Sequence, residues 1–364
     1  MANTDDVLIG TTEDDKLMGK GGDDTLDGGA GDDRLMGGTG DDILDGGTGD
    51  DTLVGGTGND ILLGDEGDDW ISGGTGNDLI YSGTGNDKID GGGGWDTAFF
   101  SGDVRDFQFS SSGGSLTVEN SLEGIDQVKN VEELHFDNYT VYLDGRNNGP
   151  LAVADSAIVD EDDPTSTEIS LLANDWDFEG DTLTVVSISD SDNVTVQDLS
   201  AGLISYNPNG NFEYLAEGET AIETLTYIVS DGVSTMEQTV TITVTGSNDG
   251  PVAVADSGTT DENATITVDV LANDTDLDLS DTHSVDSVIV SAGSGVASIV
   301  NNQVQWAPGS DYDYLASGES AVVELTYVMS DNQNTSSTST VTITVTGSND
   351  GPVAVADSGT TDEN

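Results

Sequence analysis

The sequence predicts an all-β protein: a parallel β-roll with a β cap, then tandem immunoglobulin-like β-sandwiches. Three observations predict it. A nine-residue period runs without insertion through residues 1–99. A second period, of 101 residues, begins at Gly149 and restarts at Gly250 and Gly351. Between the two, residues 100–148 lose the short period and gain aromatic residues, among them Phe100, Phe107, Phe109, Phe136, Tyr139 and Tyr142.

The short period comes first in the chain. Its blocks read GGAGDDRLM from Gly28, GGTGDDILD from Gly37 and GGTGNDILL from Gly55. The sixth position is always Asp, from Asp6 to Asp96, and the eighth is always apolar, from Leu8 to Ala98. Each block has a three-residue strand with an apolar middle residue. One such strand buries almost nothing, but strands stacked about 4.8 Å apart make a continuous core. Glycines at the early positions let the chain reverse tightly, because they accept positive φ and close backbone approach. Two blocks make one turn of the coil. Asp24, Asp42, Asp60, Asp78 and Asp96 then form one file, and Asp33, Asp51, Asp69 and Asp87 another. Two such charges about 5 Å apart repel by about 1 kcal/mol in water, and more strongly where water is excluded.

Charge sharpens the point. The chain has 364 residues, with 71 Asp and Glu against 7 Lys and Arg, a formal charge of -64. Residues 149–364 contain no Lys or Arg. This excludes a binder of nucleic acid or of anionic membrane, since phosphates repel carboxylates. Either the surface repels itself or something outside the chain neutralises it, a divalent cation being the obvious candidate and a halophilic solvation shell the plainer one. There is no Cys, hence no disulfide and no thiolate zinc site. No signal-peptide pattern opens the chain, and no apolar run approaches the ~20 residues of a membrane span.

The blocks resemble the RTX nonapeptide G-G-x-G-x-D-x-U-x of calcium-binding parallel β-rolls. The resemblance implies calcium as cofactor, 6 to 8 oxygen ligands per ion, and up to about nine sites between rungs. It also implies the ligands: backbone carbonyls of the early loop positions and the sixth-position carboxylates. These are Gly22, Asp24, Gly29, Gly31, Asp33, Gly38, Gly40, Asp42, Gly47, Gly49, Asp51, Gly56, Gly58, Asp60, Gly67, Asp69, Gly74, Gly76, Asp78, Gly83, Gly85, Asp87 and Asp96. Thr4 and Glu13 replace the fourth glycine of the first two blocks, so that end is expected to be a cap.

Residues 100–148 are expected to cover the last rung, whose apolar face and open edge need a lid. Strands are expected at 106–110 and 115–119, around a Ser-Gly-Gly turn. The segment 124–144 resembles the one that closes RTX rolls. His135, between Leu134 and Phe136, is expected to be structural.

The units 149–249 and 250–350 repeat AVADS, [LV]LAND, LTY and TVTITVTGSND. Seven strands are expected in the first, around Ala157, Ile169, Leu183, Val194, Leu203, Leu225 and Val240, which at about 100 residues is an Ig-like sandwich. These units resemble bacterial cadherin-like (VCBS-type) repeats of RTX adhesins. In such arrays carboxylates at domain ends bind calcium and stiffen the linker. The resemblance carries this onto Asp160, Glu161, Asp175, Asp177, Asp181 and Asp249, and onto Asp261, Glu262, Asp274, Asp276, Asp278, Asp281 and Asp350. Asp162 and Asp331 belong to the same acidic clusters. Residues 351–364 repeat 250–263 letter for letter, and are expected to open a third, truncated unit of a longer protein.

The function expected is a calcium-folded, secreted repeat protein, part of a type I-secreted surface adhesin whose cell-surface ligand is met through other modules. One alternative is a calcium-dependent folding module of a larger RTX exoenzyme or toxin. Another is ice binding through Thr39, Thr57 and Thr75, stacked on one edge beside Asn59 and Asn77. An enzyme is not expected: only His135 and His283 exist, and neither H-E-x-x-H nor G-x-S-x-G occurs.

Overall fold

The computed structural model describes residues 4–352 and 354–361. In the roll, Val7–Ile9, Thr25–Ala30, Ile43–Thr48, Ile61–Leu63, Leu79–Tyr81 and Thr97–Phe99 pair in parallel, each with the next. Lys16–Met18, Arg34–Thr39, Thr52–Thr57, Trp70–Thr75 and Lys88–Gly93 make the facing sheet. Leu26 registers with Leu44, and Leu35 with Leu53, so block n does lie over block n+2. Six strands are six residues long rather than three. The start of the next block continues the ladder, as Gly38 with Gly56 and Thr39 with Thr57.

The eighth-position side chains are the core between the sheets. Leu26, Leu35, Leu44, Leu53, Leu62, Ile71 and Ile80 are 0% exposed. Leu53→Ala would leave a cavity that two flat sheets cannot close, and should destabilise the calcium-loaded protein by about 2–5 kcal/mol in urea unfolding.

The cap extends both sheets. Gly124–Lys129 adds in parallel to Lys88–Gly93, with Val128 opposite Ile89. Glu133–His135 adds in parallel to Thr97–Phe99, with Leu134 opposite Ala98. Antiparallel strands follow: Ser115–Asn120 and Gln108–Ser112 on one sheet, Thr140–Tyr142 on the other. Asp106 does not open a strand; it ends a 3₁₀ turn, Val104–Asp106, that Asp103 caps. His135 packs against Phe99, and its Nε2 lies 3.2 Å from the Thr140 hydroxyl.

Each sandwich has seven strands. In the first, Asp155–Asp160, Thr235–Thr245, Thr220–Ser230 and Thr184–Ile188 form one sheet; Thr167–Ser170, Leu203–Tyr206 and Val194–Asp198 form the other. The first strand runs parallel to the last. The second sandwich, from Asp256–Asp261 to Ser336–Thr346, repeats this order. The described part of 351–364 is exposed and outside any strand; the rest of that expected unit lies outside the described residues.

The roll core runs on into the first sandwich. Leu151 belongs to the same buried cluster as Leu134 and Val141. Phe109 meets Phe178 at 5.2 Å and Trp176 at 6.3 Å between ring centroids. The hydroxyl of Tyr139 donates to the Gly149 carbonyl.

Candidate metal centres

Nine sixth-position aspartates, from Asp24 to Asp96, are at most 2% exposed. One oxygen of each is satisfied by the rung before: Asp24 N donates to Asp42 Oδ1 at 2.7 Å, Asp33 N to Asp51 Oδ1 at 2.7 Å, and Asp60 N to Asp78 Oδ1 at 2.8 Å. The other oxygen, Oδ2, is sealed from solvent in all nine and has no hydrogen-bond partner. A buried carboxylate oxygen without a donor costs several kcal/mol unless a proton or a cation meets it. In the absence of metal, burial pushes Asp51, Asp87 and Asp96 up to about 6, Asp60 to about 7 and Asp69 to about 8. Hard, acceptor-only oxygens in ordered files fit calcium.

The glycines follow from this packing. All the candidate glycines have positive φ. A Cβ on Gly47 would sit 2.0 Å from the Gly29 carbonyl oxygen, and one on Gly49 would sit 2.2 Å from that of Gly31. The second- and fourth-position carbonyls thus aim along the stack at the next rung. First-position glycines were not among the candidates, yet they face the free oxygens: a Cβ on Gly37 would lie 2.3 Å from Asp42 Oδ2. Their constancy from Gly19 to Gly73 was the available signal.

Both files continue into the cap, which the sequence reading missed. Asp87 N donates to Asp126 Oδ1 at 2.9 Å, and Asp96 N to Glu132 Oε2 at 2.9 Å. Gly124, Asp126 and Val128 keep the fourth, sixth and eighth places of the repeat, displaced by an insertion.

Between the sandwiches, two carboxylate triads form: Asp162, Glu213 and Asp249, and Asp276, Asp281 and Asp331. Within each, ligand oxygens lie within 4.8 Å of one another. The linker is pinned beside them. Ser247 N donates to Glu161 Oε1 at 2.8 Å, Ser247 Oγ to Asp160 Oδ1 at 2.8 Å, and Asp249 N to Asp278 Oδ2 at 2.9 Å. Glu161 Oε2, Asn248 Oδ1, Asp249 Oδ2, Asp278 Oδ1 and Asp281 Oδ2 are buried without partners. Burial pushes Glu161 up to about 7 and Asp278 to about 6. Glu213 was missed, although an acid precedes Tyr-Leu-Ala in both units, at Glu213 and Asp313.

At the roll–sandwich junction, Asn147 donates to Asp231 and Asn148 to Glu179, at 2.9 and 2.8 Å. Asp177 accepts from Asp181 N and keeps Oδ2 free. Asn148 holds the place of Asp249, so the linker here offers an amide where the next one offers a carboxylate. Asp175 and Asp274 sit apart from the triads. They cap Val153 N and Val254 N at 2.8 and 2.7 Å, and Asp274 also accepts from the Tyr327 hydroxyl. Glu262 is 0% exposed, accepts from Ser348 N and has Oε2 free. Asp261 accepts from Asn263 N at the surface, and Asp350 is exposed. Thr39, Thr57 and Thr75 do stack in register and are exposed.

The bacterial cadherin-like domain family matches residues 147–246 and 248–347. The chain belongs to this family. RTX calcium-binding nonapeptide repeats match residues 2–35, 27–62 and 63–98, so the roll ahead of the cadherin-like units is a calcium-binding module. Among solved structures, the chain is similar to human protocadherin-24 EC1-2, at 20% identity and TM-score 0.40, covering 56% of this chain and 100% of that one. It is also similar to mouse clustered PcdhgC3 EC1-3, at 17% identity and TM-score 0.36, covering 64% of this chain and 75% of that one. Drosophila N-cadherin EC1-4 matches at 11% identity and TM-score 0.38, covering 65% and 57%. No curated protein matches the chain.

Proposed function

We propose that this cadherin-like chain is a non-enzymatic extracellular rod, part of a type I-secreted adhesin, folded and stiffened by calcium. The observation that carries the reading is the run of buried aspartates whose second oxygen has no partner. In the cytosol, scarce calcium leaves the roll unfolded and able to thread a secretion channel. Outside, millimolar calcium binds the folded form alone and stabilises it by about 2.7 kcal/mol per site at a hundredfold excess over Kd. The sixth-position aspartates, with the second- and fourth-position carbonyls, are the ligands in the roll. Among the described residues no helix is long and apolar enough to cross a membrane.

The two triads and Glu161 hold ions between the sandwiches. An ion on the first triad ties down Asp249, whose N–H donates to Asp278 of the second sandwich, and so removes hinge freedom. Asp249 belongs to the linker itself, so Asp249→Asn should loosen the array without unfolding either sandwich. Small-angle scattering in 2 mM calcium should report a broader distribution of end-to-end distance for the variant. Identical profiles for variant and wild type would remove this role.

A further inference from the structure

One rung differs from the rest. At the first position, where glycine otherwise recurs from Gly19 to Gly91, the tenth block carries Ser82. Ser82 is 1% exposed, and its hydroxyl, sealed from solvent, lies against the Asp87 carboxylate. The next carboxylate along this file comes from the cap, outside the repeat: Asp126, 39 residues on, takes Asp87 N at Oδ1. Asp126 is 1% exposed. Its Oδ2 and that of Asp87 are also buried without partners, as is Oε2 of Glu123, which is 7% exposed. A Cβ on Gly124 would lie 1.8 Å from the Gly85 carbonyl oxygen, so the cap backbone seats on this rung as closely as one nonapeptide does on the next.

We propose that Ser82, Asp87 and Asp126 form a further calcium site that clamps the cap to the end of the roll. The proposal rests on the calcium reading of the roll and adds ligands outside it. A hydroxyl and two carboxylates are hard oxygen donors, the kind calcium takes. The ion would neutralise carboxylates from two segments that an insertion separates in the chain. Cap docking thereby becomes part of calcium binding, and the open end of the roll closes only when the ion is present.

The test is calcium counting on the full chain by equilibrium dialysis and calorimetry, for wild type and Asp126→Asn. The amide keeps the acceptor for Asp87 N and removes the charge. The expected result is one ion fewer, with the remaining sites retained. A variant that binds as many ions as wild type, with the same isotherm, overturns this site and leaves the roll reading standing. Wild type that takes up no calcium overturns the roll reading itself. If Asp126→Asn does not fold in millimolar calcium, Ser82→Ala decides: roughly tenfold weaker binding of one ion supports the site, and an unchanged isotherm overturns it.

Discussion

Chelation at pH 7.5 and low salt will unfold the roll, with loss of most of its β signal in circular dichroism, while calcium restores it. The reason is the state of the buried carboxyls. Without metal, folding must either protonate them or bury their charge beside like charge. Acid should therefore rescue the metal-free roll. In the unfolded chain an aspartate titrates near 3.8, whereas in the fold Asp51 is held up at about 6, Asp60 at about 7 and Asp69 at about 8. Below the lower value both states are protonated and there is no penalty. As pH rises to the upper values the folded state binds more protons than the unfolded one, so stability falls with pH; beyond them the penalty is constant. In chelator, the roll should be more folded at pH 5 than at pH 8. Calcium competes with the same protons, so its affinity should rise over that window. A chelated roll equally folded at both pH values would contradict the assignment of these groups as the sites of neutralisation.

Replacing Gly76 by Ala should be among the most damaging single-methyl changes in the roll. Gly76 has φ +132, and its new Cβ would lie 1.7 Å from the Gly58 carbonyl oxygen. No L-residue region covers that φ, and the clash is with backbone, which cannot swing aside. Strain of about 1–3 kcal/mol adds to the cost of separating two rungs. We expect about 3 kcal/mol or more lost in calcium, read as a fall in melting temperature, together with weaker binding at that edge. Gly93→Ala is the control, since a Cβ there meets nothing within 4 Å. Its effect should stay within about 0.5 kcal/mol. Equal effects from the two changes would mean that rung stacking does not govern stability.

The sequence alone determined the local repeating parts. Side chains at fixed phase in a nine-residue block must stack if two blocks make a turn, so the Leu/Ile core and both Asp files were readable before any coordinates. The seven strands of each sandwich were readable too, because alternation such as Thr239-Val240-Thr241-Ile242 marks one buried face. Where the period breaks, packing took over. Asp126 joins a file across an insertion, and chain separation gives no hint of that until Gly124–Lys129 pairs with Lys88–Gly93. Glu213 meets Asp249 because the chain after the last strand folds back over the end of its own sandwich. Asp175 and Asp274, inside the most conspicuous acidic motifs, lie outside both triads and accept from Val153 N and Val254 N, with Asp175 Oδ2 left buried without a partner. A repeat converts sequence distance into space by a constant rule. At a junction or a cap no such rule exists, and packing of the finished domains sets which oxygens meet.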